Sequence, residues 1–188
     1  MKSEDSAPDR DLTGRVLVSS PALQDPHFIH TLVYIAQHSR EGAVGVVMNR
    51  PTGKVLSDTG GTGPFPPAMA TIPLHVGGPV NPSFVTIGVF HPGPTDRVWT
   101  CSFSEPPEKI VRILEGDSHA HVRAYVGYAG WGEGQLENEL KEGSWRVSDP
   151  SRALFHAPWA SELWTSYHAP GQVWRELLDF LPAAPGWN

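Results

Sequence analysis

Asp25, His38 and Asn49 are the polar residues whose settings invite a chemical reading. A carboxyl group can serve as a general acid, and an imidazole as a base or a metal ligand. Each has a structural alternative. Asp25 precedes Pro26, and an Asp-Pro pair initiates a turn in which the carboxylate accepts backbone N–H groups. His38 closes an apolar run beside Ser39 and Arg40, where a satisfied imidazole is the simpler expectation. Asn49 ends the next apolar run, and its amide is placed to pin the loop at Pro51. Nothing in the spacing requires His38 and Asn49 to meet.

Three other stretches have the right residue types for a site. "DSHAH" (117–121) puts His119 and His121 two apart, so on a strand they would share a face, as zinc ligands often do. One such pair leaves zinc half ligated, and no metal is expected. "VGGPV" (76–80) reads as a tight turn whose Gly77 and Gly78 amides either line a pocket or simply reverse the chain. "GYAGWGEGQLENEL" (127–140) has four glycines in eight residues and then a helical run. A strand, a Gly-rich turn and a helix start suit phosphate, but the spacing matches neither G-x-G-x-x-G nor the P-loop. Glu133 would also repel an anion. The structural alternative is a sharp turn that folds Trp131 onto the sheet edge and starts a helix with Gln135, Leu136 and Leu140, which Gly143 is placed to end. On that reading Gly130 or Gly132 holds a backbone conformation that a side chain resists. No G-x-S-x-G elbow is present. Cys101, the lone cysteine, sits between Trp99 and Phe103 and reads as a small buried residue.

These residues need elements to position them. "GRVLVSS" (14–20), "HTLVYIAQH" (30–38) and "GVVMNRP" (45–51) read as strands, the last two as a hairpin with Pro51 as its stop. The second is apolar on both faces in its first half, as in a doubly covered strand. Residues 52–73 are rich in Gly, Pro and Thr and read as a mobile loop with room for a short turn of helix, a candidate lid or a tolerated insertion. "SFVTIGVF" (83–90), "RVWTCSF" (97–103) and "VRAYVGYAG" (122–130) are further strands. Between the last two, Ser104 is placed to cap a helix entered through Pro106 and Pro107, with Ile110, Val111 and Leu114 at helical spacing. "SWRVS" (144–148) is a short strand, and "SRALFHA", "SELWTSY" and "GQVWRELLDFL" read as helices. The order predicts an α/β (mixed α+β) chain, a mixed sheet covered by helices.

At 188 residues the simplest organisation is a tail over 1–11 and one domain over 12–188. The chain carries 14 Lys and Arg against 20 Asp and Glu, a net charge of −6, with no basic run. Phosphate-backbone binding needs clustered cations, so direct nucleic-acid contact is not expected. No apolar run approaches the roughly 18 residues that span a bilayer, and the polar N-terminus lacks a signal-peptide core. The expected location is the cytoplasm.

Four blocks together are more specific than any part: "GRVLVSSPALQDPHFIHTLVYIAQH" (14–38), "GAVGVVMNRP" (42–51), "VGGPV" (76–80) and "VGYAGWGEGQLENELKEGSW" (126–145). In this order the chain resembles the YqgE/AlgH family of small bacterial proteins, from Gly14 to about Trp164. The resemblance implies a single domain with its sheet curled towards a barrel and helices packed outside. It implies a cytoplasmic protein sometimes labelled a transcriptional regulator, with no established catalytic residues or cofactor. The segment after "MNRP" and the C-terminus depart from the family pattern.

The function expected from this is a non-enzymatic regulatory or protein-interaction domain without direct DNA contact, with no cofactor and a protein partner. The alternative left open is a small-molecule binder or an enzyme with a pocket between the four blocks. The candidate binding surface is Asp25, His38, Asn49, Gly77, Gly78, Trp131 and Gln135.

Overall fold

The computed structural model describes residues 11–60, 65–94, 99–103, 105–156, 164–165 and 167. Among the described residues, nine strands run β1 (Val16–Ser19), β2 (Leu32–Ser39), β3 (Gly42–Val47), β4 (Pro51–Val55), β5 (Pro73–Val76), β6 (Val80–Pro92), β7 (Trp99–Ser102), β8 (His121–Gly132) and β9 (Trp145–Ser148). Helices α1 (Pro107–Gly116), α2 (Gln135–Lys141) and α3 (Ala153–His156) join them, with short 3-10 turns at Leu56–Thr59 and Pro67–Met69. The strands form one mixed sheet, β4-β5-β8-β3-β2-β1-β9, with β6 also on β8 and β7 on β6. It curls into a half-barrel, as the family resemblance implied.

Strand alternation sorts the apolar residues onto two faces. Val16, Val18, Leu32, Tyr34, Val46, Met48, Phe90 and Tyr125 form the concave core, joined by Leu154 and Phe155 of α3. The intervening residues Leu17, Val33, Ile35 and Val47 point outwards, where Leu136 of α2, Trp131 and Trp145 cover them. A third cluster lies outside β5, β6 and β8, where Leu74, Ile87, Val89 and Ala124 meet Ile110 of α1 and Leu56, Met69 and Ile72. Leu32–Ile35 is apolar throughout because both faces of β2 are covered there; its second half alternates in burial. Thus α1 and α2 pack outside, and α3 lies against the concave face.

Several boundaries differ from the sequence reading. Pro51 opens β4 rather than only ending the hairpin, which an edge strand tolerates at its first residue. Residues 52–73 are not simply a loop: Leu56, Met69 and Ile72 are buried singly, and single anchors produce no periodicity. Leu114 of α1 stays 41% exposed, leaving Ile110 as the buried contact. Ser104 and the run 171–181 lie outside the described residues, as do residues 1–10. Leu12, the first residue assigned to the domain, is buried.

The glycine motifs explain how β8 receives three partners. β5 runs parallel to it (Leu74↔Ala124 to Val76↔Val126), and β6 antiparallel (Val80↔Tyr128). Only Gly77, Gly78 and Pro79 separate β5 from β6, so the chain must cross β8 almost in contact. The Gly77 N–H bonds the Val126 carbonyl, and the Val47 N–H bonds the Gly77 carbonyl, both at 2.8 Å. Gly127 has φ +68°, and a Cβ there would lie 2.5 Å from the Gly78 carbonyl oxygen. Gly78 would meet the Tyr128 backbone in the same way. The glycines required at this crossing are therefore Gly77, whose Cβ would lie 2.3 Å from the Gly127 carbonyl oxygen, Gly78 and Gly127. Gly130 and Gly132, one or other of which was expected to hold a conformation that a side chain resists, lie within β8 and have φ outside the left-handed region.

Candidate functional site

Most of the residues singled out by type turn out to be committed to the scaffold. The Asp25 carboxylate accepts the His27 N–H at 2.7 Å, and its carbonyl accepts from Phe28 and Ile29. This is the turn that Asp-Pro predicts. Arg50 reaches the Pro26 and Ile29 carbonyls at 3.4 and 3.3 Å. Burial pulls its guanidinium down from its ordinary value, partly offset by Asp25. Asn49 is buried. Its Oδ1 accepts the Leu32 N–H at 2.9 Å and its Nδ2 donates to the His30 carbonyl at 2.9 Å, so it ties β3 to the start of β2.

His38 uses both ring nitrogens. Nδ1 accepts the Leu12 N–H at 3.2 Å, which leaves Nε2 as the protonated atom donating to Glu137 Oε1 at 2.8 Å. It pins the N-terminal approach and α2 to β2, far from Asn49 in register. Trp131 and Gln135 converge on a residue that sequence reasoning missed. Glu139 Oε2 accepts both indole N–H groups, of Trp131 at 2.9 Å and Trp145 at 2.8 Å, while Oε1 accepts Gln135 Nε2 at 2.8 Å. Gln135 Oε1 in turn accepts the Gly132 N–H. Phe28 bridges this corner to the 20–31 loop, its ring 6.1 Å from Trp131 and 5.5 Å from Trp145. The carboxylate at the fifth helical position, between two tryptophans, was the available signal. Gly143 ends α2 as expected: it takes φ +77°, the Ser144 N–H reaches Glu139 O and the Gly143 N–H reaches Leu140 O.

His119 and His121 do not share a strand face. His119 sits in the turn before β8, and His121 packs against Trp99 and Phe155, 5.5 Å from each. Among the described residues no cluster of three His, Cys, Asp or Glu is placed to hold a metal. His75 is buried with Nδ1 unpartnered, and burial, then Arg123, push its imidazole down to about 4.

A space that can admit a ligand lies elsewhere, on the concave face. A cleft of about 560 Å³ opens between the β2–β3 hairpin (Ala36, Gln37, Val44, Val46) and the β6–β7 hairpin (Phe84, Thr86, Cys101, Phe103), with Tyr128 of β8. Val46 also belongs to the concave core, and Cys101 and Phe103 pack against it, so the cleft is the unfilled continuation of that core. Val44 and Phe84 stand 41% and 49% exposed at its rim. A β-bulge between Ile35 and Gln37 turns the strand where Gln37 joins the lining. Burial pushes the Cys101 thiol well above its ordinary range. None of the seven residues first singled out lines this cleft.

Comparison with known proteins agrees with this architecture. A family profile described as AlgH-like matches residues 16–178. A UPF0301 protein of Marinomonas sp. (strain MWYL1) is 35% identical over 154 residues, covering 76% of this chain and 80% of that protein. One from Streptomyces coelicolor is 34% identical over 184 residues, covering 89% and 85%. Among solved structures, the solution structure of AlgH from Pseudomonas aeruginosa is similar with TM-score 0.63 and 28% identity, covering 98% of this chain and 100% of that one. A crystal structure of a Corynebacterium diphtheriae protein shares the fold, with TM-score 0.62 and 22% identity over 90% and 91% of the two chains. With the profile spanning nearly the whole described fold, the chain belongs to the AlgH-like family.

Proposed function

We propose that this protein is a non-enzymatic recognition domain with a regulatory role in the cytoplasm, and that it binds through the concave cleft. The observation that carries this reading is the cleft itself: about 560 Å³, rimmed by exposed Val44 and Phe84. That volume falls within the roughly 300–1,000 Å³ of small-ligand sites. The commitments of the polar residues support binding over catalysis. Asp25, His38, Asn49 and Glu139 give their acceptors and donors to the scaffold. Cys101 lines the cleft, but burial holds it as the thiol, not the nucleophilic thiolate. A net charge of −6 favours regulation through a bound ligand or a protein partner over direct contact with DNA.

Titration with N-phenyl-1-naphthylamine, an uncharged dye that brightens on leaving water, tests the reading. One saturable site is expected, lost in Val44→Arg and kept in Ile29→Arg, since Ile29 is also exposed but lies outside the cleft. Absence of saturable binding, or equal loss in both variants, would overturn it.

A further inference from the structure

We propose that the cleft selects an uncharged, aromatic-sized molecule carrying a neutral hydrogen-bonding group; this rests on the recognition reading above. Among the described residues, the lining holds no Asp, Glu, Lys, Arg or His. Ser102, which also lines the cleft, bonds Glu105, and that charge is already matched by Lys109 Nζ at 2.8 Å. An ion entering the cleft would shed water and meet no counter-charge on the described lining, which is costly. A neutral molecule avoids this penalty.

The walls also specify shape. Phe84, Phe103 and Tyr128 present rings, and Phe103 is held edge-on against Phe90 of the core, 5.9 Å away at 87°. A flat apolar ligand gains area against such rings. Gln37, Thr86 and Tyr128 supply an amide and two hydroxyls that make no side-chain hydrogen bond to other described residues. They offer donors and acceptors without charge, and the bulge before Gln37 adjusts its direction towards the cleft. Together they match an amide, alcohol or carbonyl on an aromatic frame.

The test is displacement of the same dye by three molecules of one shape: 2-naphthamide, 2-naphthoate and 2-naphthylmethylammonium. The amide is expected to compete about tenfold or more better than either ion. Its advantage over plain naphthalene should fall in Gln37→Ala or Thr86→Val. If the dye binds and naphthoate or the ammonium competes as well as the amide, this proposal alone falls. An amide advantage unchanged in both variants would also overturn it, by removing the polar recognition. If the dye does not bind at all, the recognition reading falls and takes the proposal with it.

Discussion

The two ends of the concave face are built from the same sheet but finished differently. At one end rings close the space: Phe155 stacks on Trp99 at 3.9 Å and meets Phe90 at 5.0 Å, and Phe90 and Tyr125 are fully buried. At the other end Val44 and Phe84 face an open cleft. The difference comes from the chain after β9. Helix α3 delivers Leu154 and Phe155 to the first end, and no described residue of α3 lines the second. The closed end is where substitutions should cost stability, and the open end is where they should cost binding.

Phe155→Ala should have the largest effect, about 3–5 kcal/mol in denaturant unfolding, because it empties a ring-packed space. Val44→Arg, at the open end, should stay within roughly 0.5 kcal/mol, as surface substitutions do. Similar losses from both would erase the distinction between the ends.

The β8 crossing sharpens it further. Gly127→Ala should cost about 2–5 kcal/mol, combining a left-handed backbone with the clash against the Gly78 carbonyl. Gly130→Ala should change stability by less than about 1 kcal/mol, since its Cβ would meet the Tyr128 and Val80 side chains at 3.4 and 3.8 Å, close to ordinary contact. The same pair of unfolding curves checks both.

Another contrast depends on pH. With the His75 imidazole held down to about 4, the unfolded chain takes up a proton first as pH falls. Stability is therefore unaffected above about pH 6.5 and declines towards pH 4, by about 3 kcal/mol in all. Replacing His75 with Leu should flatten that part of the stability–pH profile.

How much of this was legible in the sequence depended on whether a signal was local. The β2–β3 hairpin, β8 and α2 were readable because apolar alternation and a C-terminal glycine are local signals. Gly127 was in view, but its partner in the crossing is Gly78, and only the pairing of β8 between β5 and β6 shows which glycines touch. Trp131 and Gln135 did come together, around Glu139; Asp25, His38 and Asn49 each anchor a different place. Residues 52–73 hid their core anchors because 3-10 turns bury one side chain at a time. The cleft left no motif at all. Its lining comes from five strands and the residue after β7, and each contributes ordinary apolar or neutral residues.

The most direct test of where this protein binds is amide chemical-shift mapping during the dye titration. The account predicts that the largest changes fall on Gln37, Val44, Val46, Thr86, Phe103 and Tyr128, the walls of the concave cleft. Changes centred instead on Asp25, Asn49, Trp131 and Gln135 would place recognition at the loop cluster and contradict it.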